Sequence, residues 1–231
     1  NGMAYIISQN PGNTWITCGH EGLIQKAMAR IDQSIDSCGL RHLIRPNAVR
    51  KKSQTTGDTN TSKEFALGSL MLSSANNHKK IRQVSMQYGF IDDYEAIKNS
   101  SKESGDTLDM IMQRFASGMD KMKLYLISTP ELDHNSNIQT AFLKGDQRYY
   151  FVDCTHCGNA ITFEWETKGH DGKRAGIIWQ VNDAGEFVKG SVRHKCKECG
   201  HEIKEKEKFV LIPKGQWIPT AKPSRDGYYS Y

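Results

Sequence analysis

Apolar residues recur at helical spacing in two early segments, with a strand-like run between them. Met3, Ala4, Ile6 and Ile7 open the chain as an apolar helical stretch, and Asn10-Pro11-Gly12-Asn13 makes a turn. Thr14-Trp15-Ile16-Thr17-Cys18 then reads as a short buried strand. From 21 to 37, the residues Leu23, Ile24, Ala27, Met28, Ile31 and Ile35 share one helix face, and Cys38-Gly39 stops the helix. Residues 54–63 are polar, contain glycine and read as a loop, and 64–67 with 69–73 read as a hairpin across Gly68. The next strand is 87–91, which runs straight into Asp92-Asp93. An amphipathic helix with Leu108, Ile111, Met112 and Phe115 is expected over 104–119, ended by Gly118. Lys123–Ile127 is expected as a further buried strand, stopped by Ser128-Thr129-Pro130. Strands that alternate with helices from 14 to 130 predict an α/β fold with a mostly parallel sheet. After Tyr149 the pattern changes to short β-rich pieces at 149–152, 160–165, 176–180 and 209–212, a separate small unit.

That second region holds four cysteines in two matched knuckles, Cys154-Thr155-His156-Cys157-Gly158 and Cys196-Lys197-Glu198-Cys199-Gly200. A two-residue gap lets both thiolates of a pair turn toward one ion, and the glycine permits the tight turn beneath them. Four sulfurs suit tetrahedral Zn²⁺. The interval 158–195 exceeds the roughly 15 to 20 residues of the simple template and predicts an inserted hairpin. Two disulfides or two thioredoxin-like redox pairs are the competing readings. No charged and apolar leader with a cleavage site argues for secretion, and Cys18 and Cys38 are left over, so a reducing cytoplasm fits better. His156, His194 and His201 flank the knuckles and could replace a ligand or sit behind one, but with four cysteines present they are expected to be solvated. Four thiolates close the coordination shell, which disfavours a zinc hydrolase.

Composition narrows the partners only slightly. A net charge of +5 and a pI near 8.8 permit contact with a polyanion without demanding it. No apolar run approaches the roughly 18 residues that span a bilayer, so no membrane partner is expected. The alternating run at 204–208 (KEKEK) reads as a solvated ribbon or helix face. Both ends look cut: the chain opens at Asn1 and closes on a strand-like aromatic run, Tyr228-Tyr229-Ser230-Tyr231, so a fragment is expected.

In an α/β sheet, ligands bind beyond the carboxyl ends of the strands. Phe90-Ile91-Asp92-Asp93 delivers adjacent acids to that rim. One acid there can hold Mg²⁺ through its water shell while its neighbour orients an attacking water for phosphoryl transfer. A plain helix N-cap accounts for the pattern equally well. Glu95 does not replace Asp93, because two positions on the side chain points elsewhere. Ser128 and Thr129 sit at the next strand end, one helix later, where hydroxyls can sense a phosphate.

Several phrases together resemble the large terminase subunit of tailed bacteriophages, in the lambda-like branch. Gly68-Ser69-Leu70-Met71-Leu72-Ser73-Ser74-Ala75-Asn76 is similar to that family's glycine-serine-leucine strand with its alanine-asparagine end. Ile81-Arg82 sits where the family has leucine-arginine, Phe90-Ile91-Asp92-Asp93 resembles its Walker B strand, and Ser128-Thr129-Pro130 its coupling motif. The most specific match is Lys144-Gly145-Asp146-Gln147-Arg148-Tyr149-Tyr150 running into the first knuckle.

The resemblance implies a P-loop NTPase-type sheet, partial here, that forms the C-terminal part of the motor over 1–146. A zinc ribbon follows over 147–215, and 216–231 begin a linker or nuclease domain. It implies that Asp92 coordinates the Mg²⁺ of ATP, that Asp93 stands where the family has a catalytic glutamate, and that Ser128 and Thr129 couple hydrolysis to movement. Arg82 would contact phosphate or DNA, and Cys154, Cys157, Cys196 and Cys199 would hold structural Zn²⁺. Implied partners are double-stranded DNA, the small terminase subunit and the portal of the procapsid, in a homo-oligomeric motor in the host cytoplasm. No G-x-x-x-x-G-K-[ST] phosphate loop occurs in these residues, so the fragment alone is expected to turn over little ATP. The alternative is a non-enzymatic zinc-ribbon DNA-binding or assembly module, a decayed prophage protein.

Overall fold

The computed structural model describes residues 2–17, 21–51, 54–74, 85–97, 107–113, 115, 121–131 and 136–231. The chain divides into two compact units, Asn1–Gln139 and Thr140–Tyr231.

The first unit is built on strands Thr14–Thr17 (β1), Ser62–Phe65 (β4), Gly68–Leu72 (β5), Tyr88–Asp92 (β6) and Lys123–Ile127 (β7), in the order β4-β5-β1-β6-β7. β5, β1, β6 and β7 run parallel, and among the described strands of this sheet only β4 is antiparallel to its neighbour. The parallel-rich α/β sheet expected from the alternating pattern is therefore present. Helices Gly2–Ser8 (α1) and Ile24–Ser37 (α2) cover one face, where Ile6, Ile7, Ile24, Met28 and Ile35 pack with Leu70, Leu72 and Tyr88. Residues of the opposite parity along β1 and β6 point to the other face, where Trp15, Ile91 and Phe115 are buried and the Trp15 indole donates to Ser73 Oγ at 2.8 Å. Gly89 leaves little room there: a Cβ at that position would lie 2.7 Å from the Phe115 ring and 2.6 Å from Leu124.

Three expectations change, and a fourth is met only over the residues described. The hairpin turns at Ala66-Leu67, with Leu67 at φ 62°, and Gly68 is the first residue of β5, opposite Phe65. Part of the expected loop at 54–63 forms Gln54–Thr56 (β3), which pairs with Ala48–Lys51 (β2), because consecutive β-branched Thr55 and Thr56 favour extended backbone. Among the described residues, Lys123–Ile127 lies at the sheet edge rather than inside it, with Tyr125 48% and Ile127 55% exposed. An apolar run alone does not distinguish a central strand from an edge one. The helix expected over 104–119 is described as Thr107–Met112 (α3), with Leu108 and Ile111 buried, and its expected stop at Gly118 lies outside the described residues.

A charge network braces this unit. Lys63, only 3% exposed, pairs with Asp58 and lies 3.0 Å from Asp32, while Arg41 reaches Asp32 at 2.8 Å, Asp36 at 2.7 Å and Asp58 at 3.0 Å. A buried ammonium requires such partners.

The second unit has two antiparallel sheets. One joins Arg148–Asp153 (β8), Ala160–Ile161 (β9) and Gln216–Pro219 (β14) in the order β14-β8-β9. The other joins Glu166–Lys168 (β10), Arg174–Ile178 (β11), Arg193–Lys195 (β12) and Glu202–Lys204 (β13) in sequence order, so the interval between knuckles does contain a hairpin, β10–β11. Helix Asn137–Lys144 (α4) carries the chain across the division point, and Glu205–Leu211 (α5) follows β13. The strand expected at 209–212 is instead the end of α5 and a 3-10 turn, Ile212–Lys214. Glu207 accepts from the Lys204 amide at 2.7 Å and Glu205 pairs with Lys208 at 2.5 Å, so capping and i,i+3 pairing override the strand preference of Phe209 and Val210.

The closing tyrosine run is not in a ladder. Ser230 donates its amide to Asp146 Oδ1 at 3.0 Å and accepts the Arg148 amide at 2.8 Å, and the Arg148 guanidinium lies over the rings of Tyr229 and Tyr231. Among the described residues, no helix is long and apolar enough to cross a membrane.

Candidate functional site

Two adjacent parallel strands end together. Ile91 is fully buried, whereas Asp92, the last residue of β6, is exposed and paired across to Ile127 of β7. Asp92 Oδ1 accepts from the Asp93 amide at 3.1 Å. Asp93 adopts a left-handed backbone, φ 56° and ψ 48°, and leads into a single 3-10 turn, Tyr94–Ala96. Its side chain makes no capping hydrogen bond, which removes the N-cap explanation for that carboxylate. A left-handed residue other than glycine costs on the order of 1–2 kcal/mol, less for Asp, and such strain collects at functional sites. Ser128 follows β7 directly, and its Oγ accepts the Glu95 amide at 3.1 Å, with exposed Thr129 beside it. Asp92, Asp93, Ser128 and Thr129 are thus brought to one edge of the sheet. Arg82, Ala75, Asn76 and Ile81 lie outside the described residues.

The cysteine cluster is built by two hairpins that close in the same way. Cys154 and Cys157 sit in the turn between β8 and β9, and Cys196 and Cys199 in the turn between β12 and β13. Gly158 and Gly200 donate to the carbonyls of Cys154 and Cys196 at 2.9 Å each, with φ 71° and 74°, which ordinary side chains rarely adopt. The Cys154 and Cys196 amides in turn donate across each turn, to Asn159 at 2.9 Å and His201 at 2.8 Å. All four sulfurs lie within 4.8 Å of one another, and Cys154 Sγ is 3.8 Å from Cys199 Sγ. A tetrahedron with 2.3 Å zinc–sulfur bonds has edges of about 3.8 Å. The four are free thiols rather than two disulfides. Burial opposes ionisation of Cys154, yet the amides of Cys157 and His156 and the thiols of Cys157 and Cys196 pull it down. The His201 amide favours the Cys199 thiolate, but burial and the Cys157, Cys196 and Cys154 sulfurs push that thiol up to about 12. Four sulfurs this close repel one another once ionised, so the donor set fits a divalent ion that can neutralise their charge.

The model of the family described as "Phage terminase large subunit gpA, ATPase domain" matches residues 1–217. The chain belongs to this family. Among solved structures it is similar to the large terminase ATPase domain of Thermus Phage P74-26, at 14% identity and a TM-score of 0.41, covering 62% of this chain and 57% of that one. A single-residue mutant of the same domain is similar to the same extent. The chain therefore spans little more than half the length of the solved terminase domains it matches. It matches no curated protein.

Three features of this terminase chain escaped the sequence pattern. Glu95 meets the start of α4: its carboxylate accepts from Ser136 Oγ at 2.9 Å, the Asn137 amide at 3.2 Å and the Ile138 amide at 3.0 Å. The signal available in sequence was only the Ser136-to-Gln139 cap, which marks a helix start without naming its second acceptor. Thr17, at the carboxyl end of β1 beside Ile91, is buried, and its hydroxyl has no partner among the described residues. His194, expected in solvent, is 6% exposed and packs T-shaped with Phe163, with neither ring nitrogen hydrogen-bonded among the described residues, and burial lowers its pKa. His156 and His201 stack on each other at 5.2 Å.

Proposed function

We propose that the chain is part of the motor of a DNA-packaging terminase large subunit of the lambda-like branch, in which ATP hydrolysis drives double-stranded DNA into the procapsid. The observation that carries this reading is the meeting of Asp92 and Asp93 with Ser128 and Thr129 at the ends of neighbouring parallel strands, in a member of the terminase ATPase family. Asp92 offers an exposed carboxylate to Mg²⁺, a hard ion that takes oxygen ligands. With ATP, that ion supplies charge neutralisation to the transferred phosphoryl group. Asp93 orients the attacking water, held by its left-handed turn, with a side chain one methylene shorter than the family's glutamate. Ser128, already bonded to the backbone two residues past Asp93, passes the state of the site to β7 together with Thr129. Arg82 contacts phosphate or DNA, and basic side chains supply a salt-dependent grip on the duplex.

In this reading the sheet is the P-loop NTPase type, with the motor part at 1–146, a zinc ribbon at 147–215 and 216–231 leading toward the nuclease that cuts the DNA. Cys154, Cys157, Cys196 and Cys199 hold Zn²⁺ as a structural clamp. The small terminase subunit, the portal and further copies of the large subunit are the partners, in the host cytoplasm. A second reading, a non-enzymatic DNA-binding or assembly module, is favoured by one observation: these 231 residues contain no G-x-x-x-x-G-K-[ST] phosphate loop.

The two readings part on one variant. In the large subunit that carries this chain, Asp92→Asn is expected to lower ATP turnover by about 100-fold or more while thermal melting is unchanged. Turnover equal to the parent protein would remove Asp92 from the metal site.

A further inference from the structure

We propose that Glu95 is a positioning residue that fastens the acid pair of the strand tip to α4 and to β7 at once. The inference rests on the reading of Asp92 and Asp93 as the ATPase site. Its grounds are five hydrogen bonds that converge on the short turn after Asp93. The Glu95 carboxylate accepts from Ser136 Oγ, Asn137 N and Ile138 N. Asn137 Nδ2 donates to the Ile97 carbonyl at 3.3 Å, and the Glu95 amide donates to Ser128 Oγ at 3.1 Å.

The chemistry explains why a carboxylate stands there. The first turn of a helix leaves backbone N–H groups without intrahelical acceptors and carries a partial positive charge. Ser136 satisfies one of them by accepting from Gln139 at 3.1 Å, and its own proton goes to Glu95. The Asn137 and Ile138 amides take the two Glu95 oxygens, so a single side chain from a distant turn completes the cap. Helix caps are usually local; this one spans 42 residues between Glu95 and Asn137.

Only Tyr94 stands between Glu95 and Asp93, and Tyr94 is 4% exposed, as Ile97 is 1%. The turn is therefore pinned by packing on one side and by the cap on the other. Asp93 is held in its left-handed conformation by this frame, and a displacement of the acid pair moves the start of α4 and the tip of β7 with it.

The experiment compares Glu95→Ala, Glu95→Gln and Asp92→Asn in the large subunit, reading kcat and KM for ATP together with hydrogen exchange at the Asn137 and Ile138 amides. Glu95→Ala is expected to lower kcat roughly 10- to 100-fold, with KM changed by less than about threefold, and to speed exchange at both amides. Glu95→Gln keeps one carbonyl acceptor and is expected to recover part of both losses. If either variant fails to fold, the other carries the comparison, with melting as the check. Faster exchange with unchanged kcat would make Glu95 a cap and nothing more, and would overturn the inference alone. A loss in Glu95→Gln as deep as in Asp92→Asn would place Glu95 in the chemistry and overturn its positioning role. Unchanged turnover in Asp92→Asn would overturn the site reading, and this inference with it.

Discussion

At the scale of single residues, small changes of volume or charge have definite consequences. Gly89 sits on β6 where a methyl group would meet both Phe115 and Leu124, each well inside van der Waals contact. Gly89→Ala is expected to destabilise the first unit by about 1–3 kcal/mol, read as a lower urea midpoint, since the crowding pushes apart the sheet and the residues that cover it. A midpoint equal to the parent's would mean that Phe115 swings aside freely. Sequence marked Asp92 and Asp93 as candidates but not their difference. The former is an exposed strand end and the latter a left-handed turn, a distinction that backbone dihedrals make and residue type does not.

At the scale of elements, the two knuckles were legible because metal-ligand spacing is a local property of a tight turn. What holds the ribbon around them was not. Glu164 follows β9 and accepts from Thr162 Oγ1 at 2.6 Å and from Lys197 Nζ of the second knuckle at 2.9 Å. Burial raises its pKa, but the hydrogen bonds from Thr162, Lys197 and Thr167 and the Lys197 charge outweigh it and hold the carboxyl at about 2. A folded-state pKa below the ordinary value means that this stabilisation is complete above pH 4.5 and fades only as the pH falls toward 2. Glu164→Gln is therefore expected to cost about 1–2 kcal/mol in urea unfolding, by the same amount at pH 7 and at pH 5.5. A cost that grew as the pH fell from 7 to 5.5 would place the folded-state pKa near 5 or higher. The edge placement of β7 and the helix at Glu205–Leu211 also belong to this scale, since both depend on which neighbours an apolar run finds.

At the scale of the whole molecule, the two units rest on different physics. The first has an extensive apolar cluster under its sheet, whereas the second has a small core of Val152, Ile161, Ile203 and Leu211 that includes Cys154 and Cys196 themselves. Small cores lean on metal for folding free energy. The chain is expected to carry about one zinc, to melt in two transitions, and to lose only the second unit's transition on chelation or in Cys196→Ser. Elemental analysis with calorimetry checks this, and a zinc-free chain with both transitions intact would refute the structural role.

By itself the sequence determined what short-range spacing controls: the alternation that builds a parallel-rich sheet, the acid pair at a strand end, the two cysteine knuckles, and the phrases shared with phage terminases. The tertiary structure decided the pairings between distant residues. Glu95 caps a helix 42 positions away, Asp146 receives the amide of Ser230 84 positions away, and Lys63 is buried among aspartates from α2 and the turn before β4. Local pattern fixes which backbone conformation is cheapest for a segment. Which polar groups meet depends on topology, because the energy of a buried charge or hydrogen bond is set by the partner that folding brings to it.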